Sequence, residues 1–443
     1  MMQNDNGFVS VIIQYRLGAF GFLGGKDVKK DGLLNAGLSD QNFALKWVQA
    51  KIAKFGGDPK RVTIAGESSG GASVLYQAMA YNGKPQANLF DNIITASPWF
   101  PEQYAYNAAA IESRYAAFAT AAGCPISRQT LSCLRLQNTT ALQLASQTVS
   151  EASAFGSFAF LPVTDNTFIT DRPSKQLLSG RVSGKRLLSG TMANEGVPLA
   201  DPSTRTLADF RAYIATTFPH FSSADRVAVE QTCLYDSDKL PVDPNAPWFP
   251  TTGISSPTAL NQSAFGTGQQ QRVFNVFAEY AFVCPSYWAA SAFPQAWKYE
   301  FSLPPAYHGY DLQALWSGTP TPGASFKRAF RKVWGNFIIE NSPVISVEDA
   351  KGRMGNSTVP EADWCGGKDI KWPQWNDKKP ILLNLNATGG VPNHVATTEE
   401  LYYSVYSDPG VSNVISLADA ETWEGGRGER CRFWEGVAGR VPY

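Results

Sequence analysis

Val62-Thr-Ile-Ala-Gly-Glu-Ser-Ser-Gly-Gly71 is a short β-branched run that ends in G-x-S-x-G. The pattern predicts a strand that delivers the chain to a sharp turn, one serine at the tip, and a helix behind it. Gly66 and Gly70 are expected to flank Ser68 because such a turn brings backbone segments too close for side chains. Ser68 is thereby pushed above the sheet, where a substrate carbonyl could meet it. Residues 70–80 read as the following helix. Its N-terminus would aim free N–H groups and a positive dipole at an oxyanion, the Ser69 N–H first among them.

Other strand-like runs stand at residues 8–17, 92–96, 185–189, 295–303 and 381–385, with the elbow strand at 61–65. Helical stretches, for example 40–55 and 325–340, separate most of them. Strands alternating with helices imply an α/β fold whose mostly parallel sheet is covered on both faces. The 443 residues are 44% hydrophobic and 12% aromatic, enough for a sizeable core. Lys plus Arg and Asp plus Glu are both 38. That balance argues against a nucleic-acid footprint or a polybasic membrane patch. No apolar run is long enough for a spanning helix. No P-loop, dinucleotide fingerprint or metal-spaced Cys/His cluster is present, so no metal or organic cofactor is expected.

Around the elbow the chain resembles a known family. Asp40-Gln-Asn-Phe-Ala-Leu-Lys-Trp-Val48, then Phe55-Gly-Gly-Asp-Pro-Lys-Arg61 running into the elbow, is similar to the signature of type-B carboxylesterases. That family includes esterases, fungal lipases and cholinesterases. Val11-Ile-Ile-Gln-Tyr-Arg-Leu-Gly-Ala-Phe-Gly-Phe-Leu23 matches its strand and loop just upstream. The resemblance is dense over residues 8–100 and returns near 185–196, 300–316 and 425–435. It implies a single α/β-hydrolase domain over 1–443, with the insertions at 105–180 and 200–285 forming lid and gorge walls. It also implies a Ser-Glu-His triad in that chain order. Gly190-Thr-Met-Ala-Asn-Glu-Gly196 resembles the loop bearing the acid, which makes Glu195 that residue; Tyr307-His-Gly-Tyr-Asp311 resembles the base loop, which makes His308 the base.

The residue chemistry leads the same way. A serine nucleophile needs a neutral imidazole to take its proton. There are three histidines, His220, His308 and His394. His308 alone follows a strand-like run and precedes a glycine, which places it at a strand's C-terminal end, the active edge of such sheets. Glu195 also follows a strand-like run. Its carboxylate would orient the imidazole without taking the proton. Asp201 and Glu151 read as solvated, and Asp311 as a local loop anchor.

Family members carry about a hundred residues before the strand that opens this sequence, including a His-Gly-Gly-Gly-like loop that supplies oxyanion donors. No such loop occurs here. An N-terminally truncated chain is therefore expected, with a gap in the sheet between the runs at 8–17 and 61–65.

The six cysteines are an even set that suits disulfides. The resemblance implies a Cys124–Cys133 bridge and a Cys284–Cys431 pair tying down the C-terminal helix; elimination leaves Cys233 with Cys365. Sequons at Asn138, Asn261, Asn356 and Asn386 join the cysteines in favouring a secreted protein, although the first residues are polar and carry no signal peptide. The expected activity is hydrolysis of a small-molecule or lipid ester through an acyl-enzyme. An inactive truncated homologue and a binding or adhesion protein on the same fold are the alternatives.

Overall fold

The computed structural model describes residues 7–84, 87–231, 266, 268–316, 318, 321–351, 364–365, 368–396 and 402–441. Its main sheet uses β1 (Thr63–Glu67), β2 (Asn92–Ala96), β3 (Arg186–Met192) and β4 (Gln295–Phe301). After a two-residue antiparallel pair, β5 (Trp364–Cys365) and β6 (Asp369–Ile370), come β7 (Ile381–Ala396) and β8 (Tyr402–Asp419). The spatial order is β1-β2-β3-β4-β7-β8. β1 to β4 and β7 run parallel, and β8 returns antiparallel to β7.

The strands alternate their apolar residues between two covered faces, as a period of two requires. Ile93, Leu187, Ala296 and Leu382 point into one core with Leu75, Tyr76 and Met79 of the elbow helix, Ser69–Gly83. Ile94, Leu188, Trp297 and Leu383 point into the other with Phe326, Phe330, Trp334 and Phe337 of the helix Ala324–Glu340. Because both faces are covered, every residue of β2 and every residue of β3 after Arg186 is buried, polar ones included, with no alternation of buried and exposed positions. A third cluster gathers Val28, Ile111, Tyr115 and Phe118 around Cys124, which is bonded to Cys133.

The sequence expectation for residues 8–17 is not met. This segment is extended or irregular and pairs with no strand, and Ile12 and Leu17 are exposed. Arg16 instead clasps Asp40, with its backbone N–H and guanidinium donating at 2.7–3.0 Å. β-branched residues favour a strand only where a neighbour supplies the ladder. Among the described residues β1 is therefore a sheet edge. The strand at 381–385 is longer than expected, and β8 goes unread in the sequence.

Both implied disulfides with described partners are formed, Cys124–Cys133 and Cys284–Cys431. Cys233 lies outside the described residues, as do Asn261 and Asn356. Asn138 caps the helix Thr139–Glu151, its side chain accepting from the Ala141 N–H. Asn386 lies within β7, paired opposite Val414. The C-terminal helix, Trp423–Val437, is bolted to the body by buried ion pairs, Arg430 with Glu279 and Arg427 with Glu300.

Candidate active site

The elbow forms as the sequence predicts. β1 ends at Glu67, Ser68 adopts φ 58°, ψ −123°, and a helix begins at Ser69. That left-handed backbone is costly for a serine and is held by its surroundings. The Ser68 N–H donates to the Ala96 carbonyl, and the Ser68 carbonyl accepts from the Trp99 N–H. Gly66 is required sterically, since a Cβ there would sit 2.2 Å from the Gly70 carbonyl oxygen. Gly70 differs from the expectation: its own Cβ would meet nothing within 4 Å. The close approach falls on Gly71 instead, whose Cβ would lie 2.7 Å from the Ala96 carbonyl oxygen.

Glu195 and His308 reach the same spot from the ends of β3 and β4. Their loops are zipped together by backbone bonds, Asn194 N–H to the Ala306 carbonyl and His308 N–H to the Val197 carbonyl. Gly190 lets β3 and β4 close, because a Cβ there would be 1.9 Å from the Tyr299 ring. The result is a chain of short contacts. His308 Nε2 is 2.8 Å from Ser68 Oγ, and His308 Nδ1 is 2.7 Å from Glu195 Oε2. The fully buried Glu195 accepts at its other oxygen from the Met192 N–H at 2.7 Å. The three residues named from the sequence are thus brought together. Of the other histidines, His220 is exposed on a turn, and His394 lies on β7.

Two further carboxyl groups surround the imidazole. Glu67 Oε1 is 3.5 Å from His308 Nε2, longer than the Ser68 contact and so not the main hydrogen bond. Burial, the largest influence, pushes Glu67 up to about 7. Asp311 is fully buried, with neither oxygen in good hydrogen-bond geometry to the protein, and burial pushes it up to about 8. For His308, burial works downward most strongly. The hydrogen bond and charge of Glu195 lead the upward influences, Glu67 and Asp311 adding to them only where they are ionised, and together these outweigh burial, so its pKa is raised. Asp311 was expected to be only a loop anchor. Its burial among acids is a tertiary property that its position three residues after His308 does not disclose.

Trp99 opens a wall beside the elbow. It meets Phe158 edge-on at 5.0 Å and lines a cavity of about 390 Å³ with Phe100, Phe155, Phe218 and Phe277. Among the described residues no cluster of His, Cys, Asp and Glu could hold a metal ion, and no helix is long and apolar enough to cross a membrane.

A short nucleophile–base–carboxylate chain at the carboxyl ends of parallel strands is what acyl transfer requires. Comparison with known proteins agrees with this architecture. The chain is 31% identical over 398 residues to Lipase 4 of Diutina rugosa, covering 86% of this chain and 66% of that protein. It is 27% identical over 401 residues to the secreted triacylglycerol lipase LIP1 of Gibberella zeae, covering 85% and 61%. It thus spans about two thirds of the length of these relatives. The crystal structure of EstA from Aspergillus niger superposes with a TM-score of 0.69 at 23% identity, covering 97% of this chain and 74% of that one, which shows the shared α/β-hydrolase fold. The sequence profile described as "Carboxylesterase family" matches residues 1–402, and the chain belongs to that family.

Proposed function

We propose that the protein is a serine hydrolase of carboxylic esters that works through an acyl-enzyme. The observation that carries this reading is the contact chain Ser68 Oγ–His308–Glu195, with 2.8 and 2.7 Å links. Ser68 Oγ attacks the ester carbonyl while His308 Nε2 takes its proton. Glu195 holds the imidazole and stabilises its charge. The Ser69 N–H, first in the elbow helix, donates to the oxyanion. His308 then gives its proton to the leaving alcohol, and the ester bond breaks. Water, deprotonated by His308, attacks the acyl carbonyl and restores Ser68. No step needs a metal or an organic cofactor.

Trp99, whose N–H donates to the Ser68 carbonyl and whose ring lines the neighbouring aromatic cavity, supports an apolar acyl or alcohol part in the ester. Small-molecule or lipid esters are the substrate class. A secreted location fits the two disulfides and the name of the Gibberella zeae relative, a secreted lipase.

The test is a panel of p-nitrophenyl esters of rising chain length, run with Ser68→Ala beside the wild type. Loss of the nucleophile should cost roughly 10⁶-fold in kcat. An organophosphonate probe should label the peptide containing Ser68. Hydrolysis or labelling that persists in the alanine variant would overturn the assignment.

A further inference from the structure

One helical rod, residues 268–292, runs beside the triad and changes its winding there. Gly268–Ala278 is α-helical, Glu279–Val283 is a π turn, and Cys284–Ala292 is α-helical again. Pro285 supplies the cause. It has no N–H to give the Ala281 carbonyl four residues back, and its ring crowds that position. The freed Ala281 carbonyl accepts instead from the Phe100 N–H at 3.2 Å. A π turn inside an α-helix is rare and is frequently found at functional sites.

What the turn presents is Phe282. Its ring is fully buried, 4.5 Å from the His308 ring centroid and tilted by 43°. The turn is fastened on both sides of that residue. Glu279 receives a two-oxygen contact from Arg430 Nε at 2.8 and 2.9 Å, and Arg427 Nε lies at 3.4 Å. Cys284 is bonded to Cys431, the neighbour of Arg430 in the C-terminal helix. The two hydrogen bonds of His308 lie in the plane of its ring and do little to stop the ring tipping out of that plane. A neighbour packed against the ring face supplies the missing restraint and also keeps water from it.

We propose that Phe282 is a positioning residue for His308, and that the π turn with its Glu279 and Cys284 fastenings exists to hold it there. The proposal rests on His308 being the base. With the ring removed, the imidazole can tip away from Ser68 Oγ and is more readily hydrated. Tipping lowers kcat, since small misplacements of reacting groups are expensive. Hydration relieves the burial that holds the imidazole's proton affinity down, so the proton is held more tightly.

The experiment uses Phe282→Leu and Phe282→Met in the full chain, both apolar and without a ring. Each should lower kcat by roughly 10- to 100-fold with KM within about twofold. Each should also move the acid limb of the rate profile to higher pH. Histidine-selective ¹⁵N NMR, with His308 assigned by its absence in His308→Gln, should show the same upward move of its titration. A purely structural role would lower the melting temperature and leave both pH readings in place. Unchanged kcat and an unmoved His308 titration in either folded variant would overturn the proposal. Should the wild type hydrolyse no ester, the functional reading fails by itself, while the NMR titration still decides whether Phe282 governs His308.

Discussion

Replacing Asp311 by asparagine tests the electrostatics of the site quantitatively. Asp311 is fully buried, and burial lifts its pKa from an ordinary 3.8 to about 8. Between those two values the folded protein holds a proton that the unfolded chain has released. Stability must therefore fall as pH rises through this window, by up to about 1.4 kcal/mol per pH unit for a single group. From pH 5 to pH 7 the loss is about 3 kcal/mol, all of which asparagine escapes because it does not titrate. Urea unfolding of both proteins at half-unit steps should give curves that diverge, the Asp311→Asn protein gaining on the wild type as pH rises. The slope of the difference is diagnostic. Its offset is not, because the amide needs donors and acceptors of its own. A second reading comes from activity. Asp311 is neutral in the folded protein below about pH 8, so its removal should leave the acid limb of ester hydrolysis nearly where it was. Parallel unfolding curves, or an acid limb lowered by a full pH unit, would show that Asp311 is ionised at neutral pH and that the reasoning is wrong.

Other expectations follow from the same geometry. His308 must be neutral to take the serine proton and its pKa is raised, so kcat/KM should fall with decreasing pH through a midpoint above 6.5; a midpoint below that value in initial-rate profiles would contradict the arrangement. The Cys284–Cys431 bridge closes 147 residues and Cys124–Cys133 only 9, so chain entropy assigns them about 5 and about 3 kcal/mol. Paired alanine replacements read by urea midpoints should keep that order, and the reverse order would refute the entropic account. Gly190→Ala drives a Cβ to 1.9 Å from Tyr299 and should cost on the order of 3 kcal/mol or prevent folding. Gly436→Ala, where a Cβ meets nothing within 4 Å, should gain about 0.5–1 kcal/mol. Equal melting temperatures for these two variants would count against the packing described for β3 and β4.

The elbow was legible because all its determinants are local: a β-branched strand, Gly66, Ser68 and a helix-forming stretch follow one another directly. The acid and the base were not legible in that way. Neither Glu195 nor His308 carries a local signature, and resemblance to relatives supplied both, with strand-end placement in support. Residues 8–17 misled because β propensity describes a surface waiting for a partner, and none of the described strands takes that place. β8 is hard to see in the sequence because Asp408-Pro-Gly410 interrupts it; β8 pairs with β7 on both sides of that triplet, and the register shifts there as a bulge. The π turn has one faint trace in the sequence, Pro285 inside a helical stretch. Its meaning depends on Phe100, nearly two hundred residues away, accepting the role of replacement donor.

The backbone stitching between the Glu195 and His308 loops divides the site into two mechanical parts. One part carries acid and base together, and the other carries Ser68 on β1 and its helix. Gentle heating should therefore widen the Ser68–His308 gap while the Glu195–His308 link stays closed. Such a protein would lose turnover in a reversible step below its unfolding transition. For an engineer, grafts at the β1 end adjust the stroke of the nucleophile, while the opposing pair can be transplanted only as one piece.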